Sequence, residues 1–404
     1  MSDFTRREFM AASAGVSIAA STAAAQDAVV GANERVQVGL IGCGGQGSHH
    51  LNLLMRNAGV RVIGVSDVYT PRLENAERIS KAKGFRDYRE LLAQPGLDAV
   101  WIATPDHWHA KMTMDAMEAG VDVYCEKPMT RTWQEARDVH RMRLRTNRVV
   151  QIGSQYASRQ LFWKARELVA AGRLGKLVWS QASYSRNIRD GDWKYGVDLK
   201  AGAHNLDWDA FLGPAPKRPY DAERFFRWRK YWDYSGGIAT DLFVHQLLPM
   251  AITLGCEFPV RAFGSGGVYL HKDRETPDTF LMTVEYPSEH AILIVGSQAN
   301  EQGLPTVIRG HEATMYLSGN DIEIRPEQPY AEGRAPERVA VKEVGDSIVA
   351  HHANFLDCVR RKDPKTNCNT EVGYKVTVAV DLANRCWREG RAVRFDPVKE
   401  EEVQ

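Results

Sequence analysis

The stretch Val-Gln-Val-Gly-Leu-Ile-Gly-Cys-Gly-Gly-Gln-Gly, residues 36–47, decides the fold that we expect for this 404-residue chain. An apolar run followed by the pattern G-x-G-x-x-G is typical of a strand, a tight turn and the start of a helix. Gly42 permits the bend, Gly44 admits a phosphate to the backbone, and Gly47 lets helix and strand pack closely. The stretch predicts a dinucleotide-binding turn that includes Gly42, Gly44, Gly45, Gln46 and Gly47, although a strand–turn–helix without a ligand is the alternative.

An acidic residue follows at the distance that such a site requires. A second apolar run, residues 60–65, ends in Ser66 and Asp67, about 20 residues beyond the glycines. A carboxylate there accepts hydrogen bonds from an adenosine ribose and repels a 2′-phosphate, so Asp67 favours NAD over NADP. Arg72 lies close enough in sequence to keep NADP open as the less favoured cofactor.

Short apolar strands alternate with helical patterns as far as residue 152. Strands are expected at 36–41, 60–65, 99–103, 121–125 and 149–152, and helices between them at 71–83, 109–119 and 132–146. This alternation predicts an α/β fold whose first domain, residues 35–152, is a Rossmann domain with a doubly wound parallel sheet.

The pattern changes after Gly153. Residues 186–235 form a long irregular stretch rich in Trp, Tyr, Arg and Pro, and strand-like runs separated by short turns recur between residues 260 and 324. These runs predict a second α/β domain, residues 153–370, with a large open and mostly antiparallel sheet that binds the substrate. A C-terminal helix at 371–390 is expected to pack back on the first domain.

Composition limits the function classes. A net charge of +1, with 44% hydrophobic and 25% charged residues, is typical of a globular protein and argues against nucleic acid as a partner. No internal run is apolar and long enough to span a bilayer, so no membrane insertion is expected. The six cysteines have no zinc-site spacing and are expected to be mostly free thiols, and no metal site is predicted.

The N-terminus has the features of an export signal. Residues 5–10 carry paired arginines, an Ala-rich apolar stretch follows, and Ala23-Ala24-Ala25 offers a cleavage site before Gln26. Residues 1–26 are therefore interpreted as a twin-arginine signal peptide, which predicts a periplasmic or otherwise exported protein. A disordered basic tail is the alternative.

Two motifs follow predicted strands, where the ligand crevice of a doubly wound sheet lies. Thr104, Pro105, His107 and His109 follow the strand at 99–103, and Glu126 and Lys127 follow the strand at 121–125. We expect these residues to contact the cofactor. Lys127 can also donate to a substrate oxygen as hydride moves, whereas its alternative role is that of a surface lysine before a turn.

A third motif lies far along the chain. Gly236-Gly237 begins a predicted helix that carries Asp241 and His245, which are four residues apart and so share a helix face. His245 is a candidate general base, and Asp241 is a candidate to orient its imidazole or to bind substrate. A helix-surface pair or a structural buried histidine is the alternative.

Aromatic and polar side chains offer a wall for a carbohydrate. We expect substrate contacts from Gln155, Tyr156, Arg227, Trp228, Tyr231 and Trp232, together with Asp241 and His245. Aromatic faces stack on sugar C–H surfaces, while the polar groups bond hydroxyls. Packing between domains is the alternative for each aromatic residue.

Together these motifs resemble the glucose–fructose oxidoreductase, inositol dehydrogenase and MocA (Gfo/Idh/MocA) family. The resemblance covers about residues 35–388 and depends on the glycine turn with Asp67, Thr104-Pro105, Glu126-Lys127-Pro128, and Gly236-Gly237 followed by Asp241 and His245. It implies that Lys127, Asp241 and His245 are catalytic and meet at the nicotinamide and the substrate. It also implies homo-oligomers formed through the second-domain sheet.

Three functions remain open from the sequence. The first is an NAD-dependent oxidoreductase that acts on a sugar, polyol or glycoside and recycles a tightly bound cofactor in place. The second is a redox-neutral, NAD-dependent glycoside hydrolase that works by oxidation, elimination, hydration and re-reduction. The third is a non-catalytic ligand-binding paralogue, which the presence of Lys127, Asp241 and His245 argues against.

Overall fold

The computed structural model describes residues 35–403. The predicted signal peptide, residues 1–26, lies outside the described residues. Within residues 35–403, none of the helices combines the length and apolar character needed to cross a bilayer. The same residues include no group of three or more His, Cys, Asp or Glu side chains arranged to bind a metal. The six cysteines are unpaired and mostly buried.

The first sheet has six parallel strands in the order β3-β2-β1-β4-β5-β6. The strands are β1 (Val36–Ile41), β2 (Val60–Ser66), β3 (Lys83–Phe85), β4 (Ala99–Ile102), β5 (Asp122–Glu126) and β6 (Val150–Gly153). Strands β4, β5 and β6 are buried along their whole length, as apolar strands covered by helices on both faces must be. The predicted doubly wound parallel sheet is confirmed.

Five helices cover this sheet and connect its strands. They are α1 (Gly45–Met55), α2 (Thr70–Ser80), α3 (Tyr88–Leu92), α4 (Asp106–Glu118) and α5 (Trp133–Thr146). The last begins with a capping box in which Thr132 and Glu135 satisfy each other's backbone N–H groups. All five lie between parallel strands, so the carboxyl ends of β1, β4 and β5 open on one edge of the sheet.

The second sheet has ten strands, mostly antiparallel, in the order β16-β15-β14-β13-β7-β11-β10-β9-β17-β18, and β12 pairs separately with β8. Only β7 and β11 run parallel among these neighbours. This open, mixed sheet confirms the predicted fold class of the second part of the chain. The strands are β7 (Leu177–Ser183), β8 (Arg186–Asn187), β9 (Arg261–Gly267), β10 (Thr279–Glu285), β11 (Ala291–Ser297), β12 (Ala299–Asn300), β13 (Thr306–Gly310), β14 (Ala313–Ser318), β15 (Asp321–Pro326), β16 (Glu337–Ala340), β17 (Val393–Asp396) and β18 (Glu401–Val403).

Six further α-helices lie within the described residues: α6 (Gln160–Ala170), α7 (Trp208–Leu212), α8 (Ala222–Phe226), α9 (Val244–Leu254), α10 (Ser347–Arg361) and α11 (Thr370–Glu389). The two last helices contact the first sheet layer. Trp133 N–H donates to Asp381 of α11 at 3.0 Å, and Phe355 of α10 packs edge-on against Trp101 of β4. The division of the chain at residues 152 and 370 stays a prediction.

The irregular stretch at 186–235 is hydrogen-bonded to the segment that follows β2 of the first sheet. Thr70 N–H donates to the Asn205 carbonyl at 2.8 Å, and Asp207 N–H donates to the Val68 carbonyl at 3.0 Å. Tyr69 packs with Phe225 in a buried aromatic cluster that includes residues of both segments. The stretch therefore forms one wall of the space above the carboxyl ends of the parallel strands.

Candidate active site

A cavity of about 910 Å³ lies at the carboxyl edge of the first sheet and reaches the second domain. One end is lined by the glycine turn and Asp67, and the other by Lys127, Asp241 and His245. Its volume lies within the range of pockets that bind small molecules and cofactors.

Two glycines of the turn have no space for a side chain. Gly42 has φ +88°, and a Cβ there would lie 2.7 Å from the Ala103 carbonyl oxygen. A Cβ on Gly47 would lie only 1.8 Å from the Gly42 carbonyl oxygen. The turn and the first turn of α1 therefore pack backbone against backbone, as predicted for a dinucleotide turn.

The other two glycines leave open space in front of the helix. A Cβ on Gly45 would meet no atom within 4 Å in the described part of the chain, and one on Gly44 would meet only the Arg72 guanidinium at 3.6 Å. Residues Gly45–Gly47 begin an 11-residue helix, so their N–H groups point out of its positive end. These residues fit the pyrophosphate of a dinucleotide, and Gln46 lines the same end.

Asp67 lies at this end and also supports the turn. Its carboxylate accepts from Cys43 N–H at 2.7 Å and from Tyr69 N–H at 2.8 Å. Burial raises the pKa of Asp67, while Arg72 and the two backbone donors oppose that rise. The residue still lines the cavity, so it can meet a ribose, but its first role is to fasten the glycine turn to β2.

Arg72 is fixed beside Asp67 by aromatic rings of both domains. Its guanidinium lies 5.7 Å from the ring centre of Tyr69, 5.0 Å from that of Phe225 and 5.4 Å from that of Phe226. Such stacking holds the cation at the cavity wall. Arg72, the residue that keeps NADP open as the less favoured cofactor, therefore places its positive charge at the adenosine end of the cavity.

Lys127 and Asp241 meet at the opposite end, although 114 residues separate them. Lys127 Nζ donates to Asp241 Oδ1 at 2.6 Å and to the Asp241 carbonyl at 2.8 Å. Both side chains are nearly buried, with exposed fractions of 12% and 10%. A partly desolvated pair of this kind keeps the ammonium in one position with an N–H free for the cavity.

Two residues absent from the sequence-based set complete the Asp241 site. Arg229 Nε donates to Asp241 Oδ1 at 3.0 Å, and Trp193 Nε1 donates to Asp241 Oδ2 at 3.0 Å. Burial alone would raise the pKa of Asp241, but the charges of Lys127 and Arg229 outweigh it and hold that pKa well below its usual range. Asp241 is therefore a fixed carboxylate. In the sequence, Arg229 is marked only by its place in the irregular stretch at 186–235, which is rich in Trp, Tyr and Arg.

His245 lines the cavity beside Lys127 but is not bonded to Asp241 in the described structure. The prediction that Asp241 orients this imidazole is wrong, because its carboxylate serves Lys127, Arg229 and Trp193 instead. Residues Ala239–Phe243 form a π-helical turn before α9, which changes the simple i, i+4 relation that the sequence suggested.

The imidazole of His245 is neutral and free on one side. Its Nδ1 has no hydrogen-bond partner among residues 35–403. Burial, followed by the charge of Lys127, lowers the pKa of His245 to about 3. The rings of Tyr156 and Tyr184 lie 5.9 Å and 5.8 Å away. A neutral imidazole between two phenols is equipped to accept a proton.

Asp106 is a further carboxyl group in the cavity lining that was not predicted from the sequence. It is the first residue of α4 and is 2% exposed. Its Oδ2 accepts from Thr240 Oγ1 at 3.1 Å. Burial raises the pKa of Asp106. The charges of Lys127 and Arg229 thus keep Asp241 ionised, whereas burial raises the pKa of the nearby Asp106.

Some of the remaining predicted residues line the cavity, and others support the loops around it. Thr104, Pro105, Glu126, Gln155, Tyr156 and Trp228 line the cavity, as do the unpredicted Tyr184, Arg186 and Tyr195. His107 and His109 lie outside the lining. His107 Nε2 bonds the Phe211 carbonyl at 2.9 Å, and His109 bonds the Thr104 and Pro128 carbonyls at 2.9 and 2.7 Å. Both rings are turned into the interior and brace loops, and their cofactor contact stays a prediction.

Three predicted substrate residues of the irregular stretch at 186–235 lie outside the cavity lining. Arg227 pairs with Glu223 at 2.6 Å, Tyr231 stacks under Arg224, and Trp232 Nε1 donates to the Glu275 carbonyl at 3.1 Å. Their substrate contact stays a prediction. The short helical turn at Trp228–Lys230 presents only its first two side chains, Trp228 and Arg229, to the cavity.

Comparison with protein families identifies the chain. Residues 36–154 match the family described as an oxidoreductase family with an NAD-binding Rossmann fold, and residues 167–404 match its C-terminal alpha/beta domain. The chain belongs to the Gfo/Idh/MocA oxidoreductase family. Its first domain is accordingly an NAD-binding Rossmann domain, and the predicted family and cofactor are confirmed.

Curated relatives of this Gfo/Idh/MocA protein include a glycosidase family and a dehydrogenase. A glycosyl hydrolase family 109 protein of Stenotrophomonas maltophilia is 33% identical over 236 residues, which cover 55% of this chain and 49% of the relative. An inositol 2-dehydrogenase of Rubrobacter xylanophilus is 31% identical over 180 residues, covering 44% and 52%. The chain thus spans about half the length of the curated relatives that it matches.

Solved structures share the fold of this family member. An NAD-binding oxidoreductase from Klebsiella pneumoniae superposes with a TM-score of 0.69 at 20% identity, over 89% of this chain and 99% of that one. The arrangement of a Rossmann domain followed by an open-sheet domain is therefore shared along nearly the whole described chain.

Proposed function

We propose that this protein is an NAD-dependent oxidoreductase that acts on a sugar, polyol or glycoside. The observation that carries the proposal is the convergence of Lys127, Asp241 and His245 in the cavity that also contains the glycine turn. The first end fits the dinucleotide and the second offers a charge-stabilising donor beside a neutral base. When bound, the nicotinamide accepts the hydride from the carbinol carbon or returns it.

The side chains at the reaction end have complementary tasks. His245 takes the hydroxyl proton, which its neutral state allows. Lys127 donates to the same oxygen and stabilises the negative charge that develops on it. Asp241 accepts from Lys127, Arg229 and Trp193, so it fixes the direction of the ammonium and takes no proton itself.

The walls around this end suit a carbohydrate. Tyr156, Tyr184, Tyr195 and Trp228 present aromatic faces, while Gln155 and Arg186 present polar groups. Arg186 is held by Tyr184 Oη at 2.9 Å and by Asp192 at 3.2 Å, so its remaining N–H groups have a fixed direction. Flat apolar faces beside oriented donors bind the C–H surface and the hydroxyls of a sugar ring.

Recycling of a captive cofactor is part of this proposal. The sequence of residues 1–26 supports export by the twin-arginine route to the periplasm or beyond. Free NAD is not expected there, so a protein exported with its cofactor has to regenerate it within the same site. NADP is the less favoured cofactor, because Asp67 lines the adenosine end.

A redox-neutral glycosidase is the second candidate function. It is favoured by the unpartnered neutral His245 between Tyr156 and Tyr184 and by the name of the 33% identical relative. Oxidation of one sugar hydroxyl to a carbonyl makes the adjacent C–H acidic. A base removes that proton, the protonated aglycone leaves, water adds to the resulting double bond, and the returning hydride restores the hydroxyl. The net reaction is hydrolysis.

One experiment distinguishes the candidates. The purified protein, without added nucleotide, is incubated with a panel of nitrophenyl glycosides and with pairs of free sugars, one as hydride donor and one as acceptor. Release of nitrophenol supports the glycosidase. Coupled formation of a keto sugar or lactone and a polyol supports the oxidoreductase. If neither appears even when NAD is added in excess, the protein is a non-catalytic paralogue and both proposals fail.

Homo-oligomer formation through the second sheet also belongs to the proposal. Its outward face carries the exposed apolar side chains Trp179, Phe263 and Leu281, on three strands of the sheet. Burying such a face in a second copy gains free energy in proportion to the apolar area removed from water. Light scattering of the wild type and of Leu281→Asp tests this; an oligomeric state that is unchanged in the variant counts against the interface.

A further inference from the structure

A chain of buried polar groups leads from Glu126 in the cavity lining through the glycine helix to α10. His50 of α1 is fully buried and lies between Glu126 and His352. His50 Nε2 is 2.7 Å from Glu126 Oε1, and His50 Nδ1 is 2.9 Å from His352 Nε2. Trp101 Nε1 is 3.3 Å from the same His352 nitrogen. None of these contacts is needed by the proton and hydride transfers described above.

The indole fixes the direction of the hydrogen bonds. Trp101 Nε1–H is a donor only, so His352 Nε2 is an acceptor and carries no proton. Burial and the neighbouring histidines lower the pKa of His352 to about 2, so its single ring proton lies on Nδ1. His50 Nδ1, which faces that acceptor at 2.9 Å, must therefore be protonated.

The other ring nitrogen of His50 faces a carboxyl oxygen. An unprotonated Nε2 at 2.7 Å from a carboxylate would set two lone pairs against each other, so one proton lies between them. His50 therefore bridges His352 and Glu126 through its two ring nitrogens.

The surroundings of Glu126 favour the carboxylate. Its Oε2 accepts from the Lys127 backbone N–H at 3.1 Å, and its Oε1 accepts from Gln46 Nε2 at 3.2 Å. Burial would raise the pKa of Glu126, but His50, then Lys127 and Gln46, outweigh it and hold that pKa at about 2. Gln46 and His50 approach each other at 3.2 Å because both donate to one oxygen.

We infer that His50 is a positioning residue for Lys127. Through Glu126 it fixes the backbone of Lys127, and through the same carboxylate it fixes Gln46 of the cofactor turn. The inference rests on the proposed function only for its kinetic consequence, since the hydrogen-bond network is a property of the folded chain.

The groups around His50 support this assignment from each side. Tyr124 of β5 faces the ring edge-on at 5.4 Å, and burial raises the pKa of that phenol, so it stays neutral. His49 of α1 lies 6.2 Å away, and His352 stacks on His50 at 4.9 Å. Glu126 is thus the carboxylate that faces His50, with Lys127 just beyond it.

The first test is the protonation of both ring nitrogens in the full-length protein. The chain is labelled with ¹⁵N-histidine, its twelve histidines are observed by two-bond ¹H–¹⁵N correlation at pH 8, and His50→Gln assigns the signal. The network requires a protonated Nδ1 at His50 and an unprotonated Nε2 at His352. An unprotonated Nδ1 at His50 would overturn the inference. If His50→Gln does not fold, His352→Gln assigns the pair.

The second test uses matched variants of His352, which the substrate does not reach. His352→Gln can still offer an oxygen acceptor to His50, whereas His352→Leu cannot. If the network positions Lys127, kcat of His352→Leu falls about tenfold below that of His352→Gln while KM for the substrate stays similar. Equal kcat values in two folded variants would refute the positioning role. A wild type without turnover would instead contradict the proposed function and leave the histidine spectrum as the deciding result.

Discussion

The two ends of the cavity are built in different ways. The cofactor end is made by the backbone of one short stretch, where Gly42 and Gly47 are required because no Cβ fits. The reaction end is made by side chains from separate segments, such as Lys127, Arg229 and Asp241. The first end is fixed by local sterics and the second by tertiary packing. Substitutions at the two ends should therefore fail differently, one in binding and stability, the other in turnover.

The largest expected effect tests the reaction end alone. Lys127→Ala removes the donor that stabilises charge on the substrate oxygen, which should lower kcat by about 10²–10³-fold while bound NAD is retained. Steady-state kinetics and the NAD content of the purified variant measure both quantities. Lys111→Ala, which removes a surface lysine paired with Asp115, is the matched control. Loss of NAD together with turnover would remove the distinction between the two ends.

His245→Ala should come next in size. Without the neutral imidazole, the hydroxyl proton has no positioned acceptor, and kcat should fall by about 10²-fold or more. The exposed His311 offers the control His311→Ala. Full activity of His245→Ala would assign the base to another group, with Tyr156 and Tyr184 the nearest candidates.

Within the cofactor end, two glycines of one motif should behave oppositely. Gly47→Ala places a methyl group 1.8 Å from the Gly42 carbonyl, which should lower the free energy of unfolding by about 1–3 kcal/mol and weaken NAD binding. Gly45→Ala has open space at its Cβ and should leave the unfolding free energy of the cofactor-free protein nearly unchanged. Denaturant titration compares them; equal destabilisation would contradict the steric difference, since helix propensity alone favours Ala at both positions.

A smaller effect is expected at Asp67. Asp67→Ala removes the carboxylate that accepts from the Cys43 and Tyr69 N–H groups. Each of these buried donors loses its hydrogen bond to Asp67, which should lower the free energy of unfolding by about 1–3 kcal/mol. NAD retention should also weaken, as measured by calorimetry with added NAD. Unchanged affinity would mean that the ribose is held by other residues.

The last prediction concerns pH: kcat/KM should show no histidine titration between pH 8 and pH 5. Because the folded-state pKa of His245 is about 3, well below the ordinary histidine value of about 6.5, the base stays unprotonated as the pH falls from 8 to 5. The profile of kcat/KM over this range should show no loss centred near pH 6.5. A one-proton loss there would show that the base has an ordinary pKa and is solvated.

The contrast between the two ends also explains what the sequence could predict. Gly42–Gly47, the alternation of strands and helices, and the Lys127 motif follow local rules, so the Rossmann fold and the cofactor turn were predicted with their residues. His107 and His109 shared the same strand-end position but point inward to the Phe211, Thr104 and Pro128 carbonyls. Strand-end position alone does not determine the direction of a side chain.

Features that depend on packing were missed. Arg229 and Trp193 reach Asp241 from the irregular stretch, and the π-helical turn at Ala239–Phe243 separates Asp241 from His245. Strands β15 to β18 lie at the two ends of the second sheet, where short and polar segments give a weak alternation pattern. The buried pair of His50 and His352, 302 residues apart, carries no signal in a single sequence.

The most direct test of a captive cofactor is the nucleotide content of the protein purified without added cofactor. The protein is denatured, and released NAD(H) and NADP(H) are quantified by mass spectrometry against the protein concentration. We expect near-stoichiometric NAD(H), retained by the wild type and by Lys127→Ala alike. A protein that emerges empty and binds added NAD only weakly would contradict both the captive cofactor and the assignment of the glycine turn.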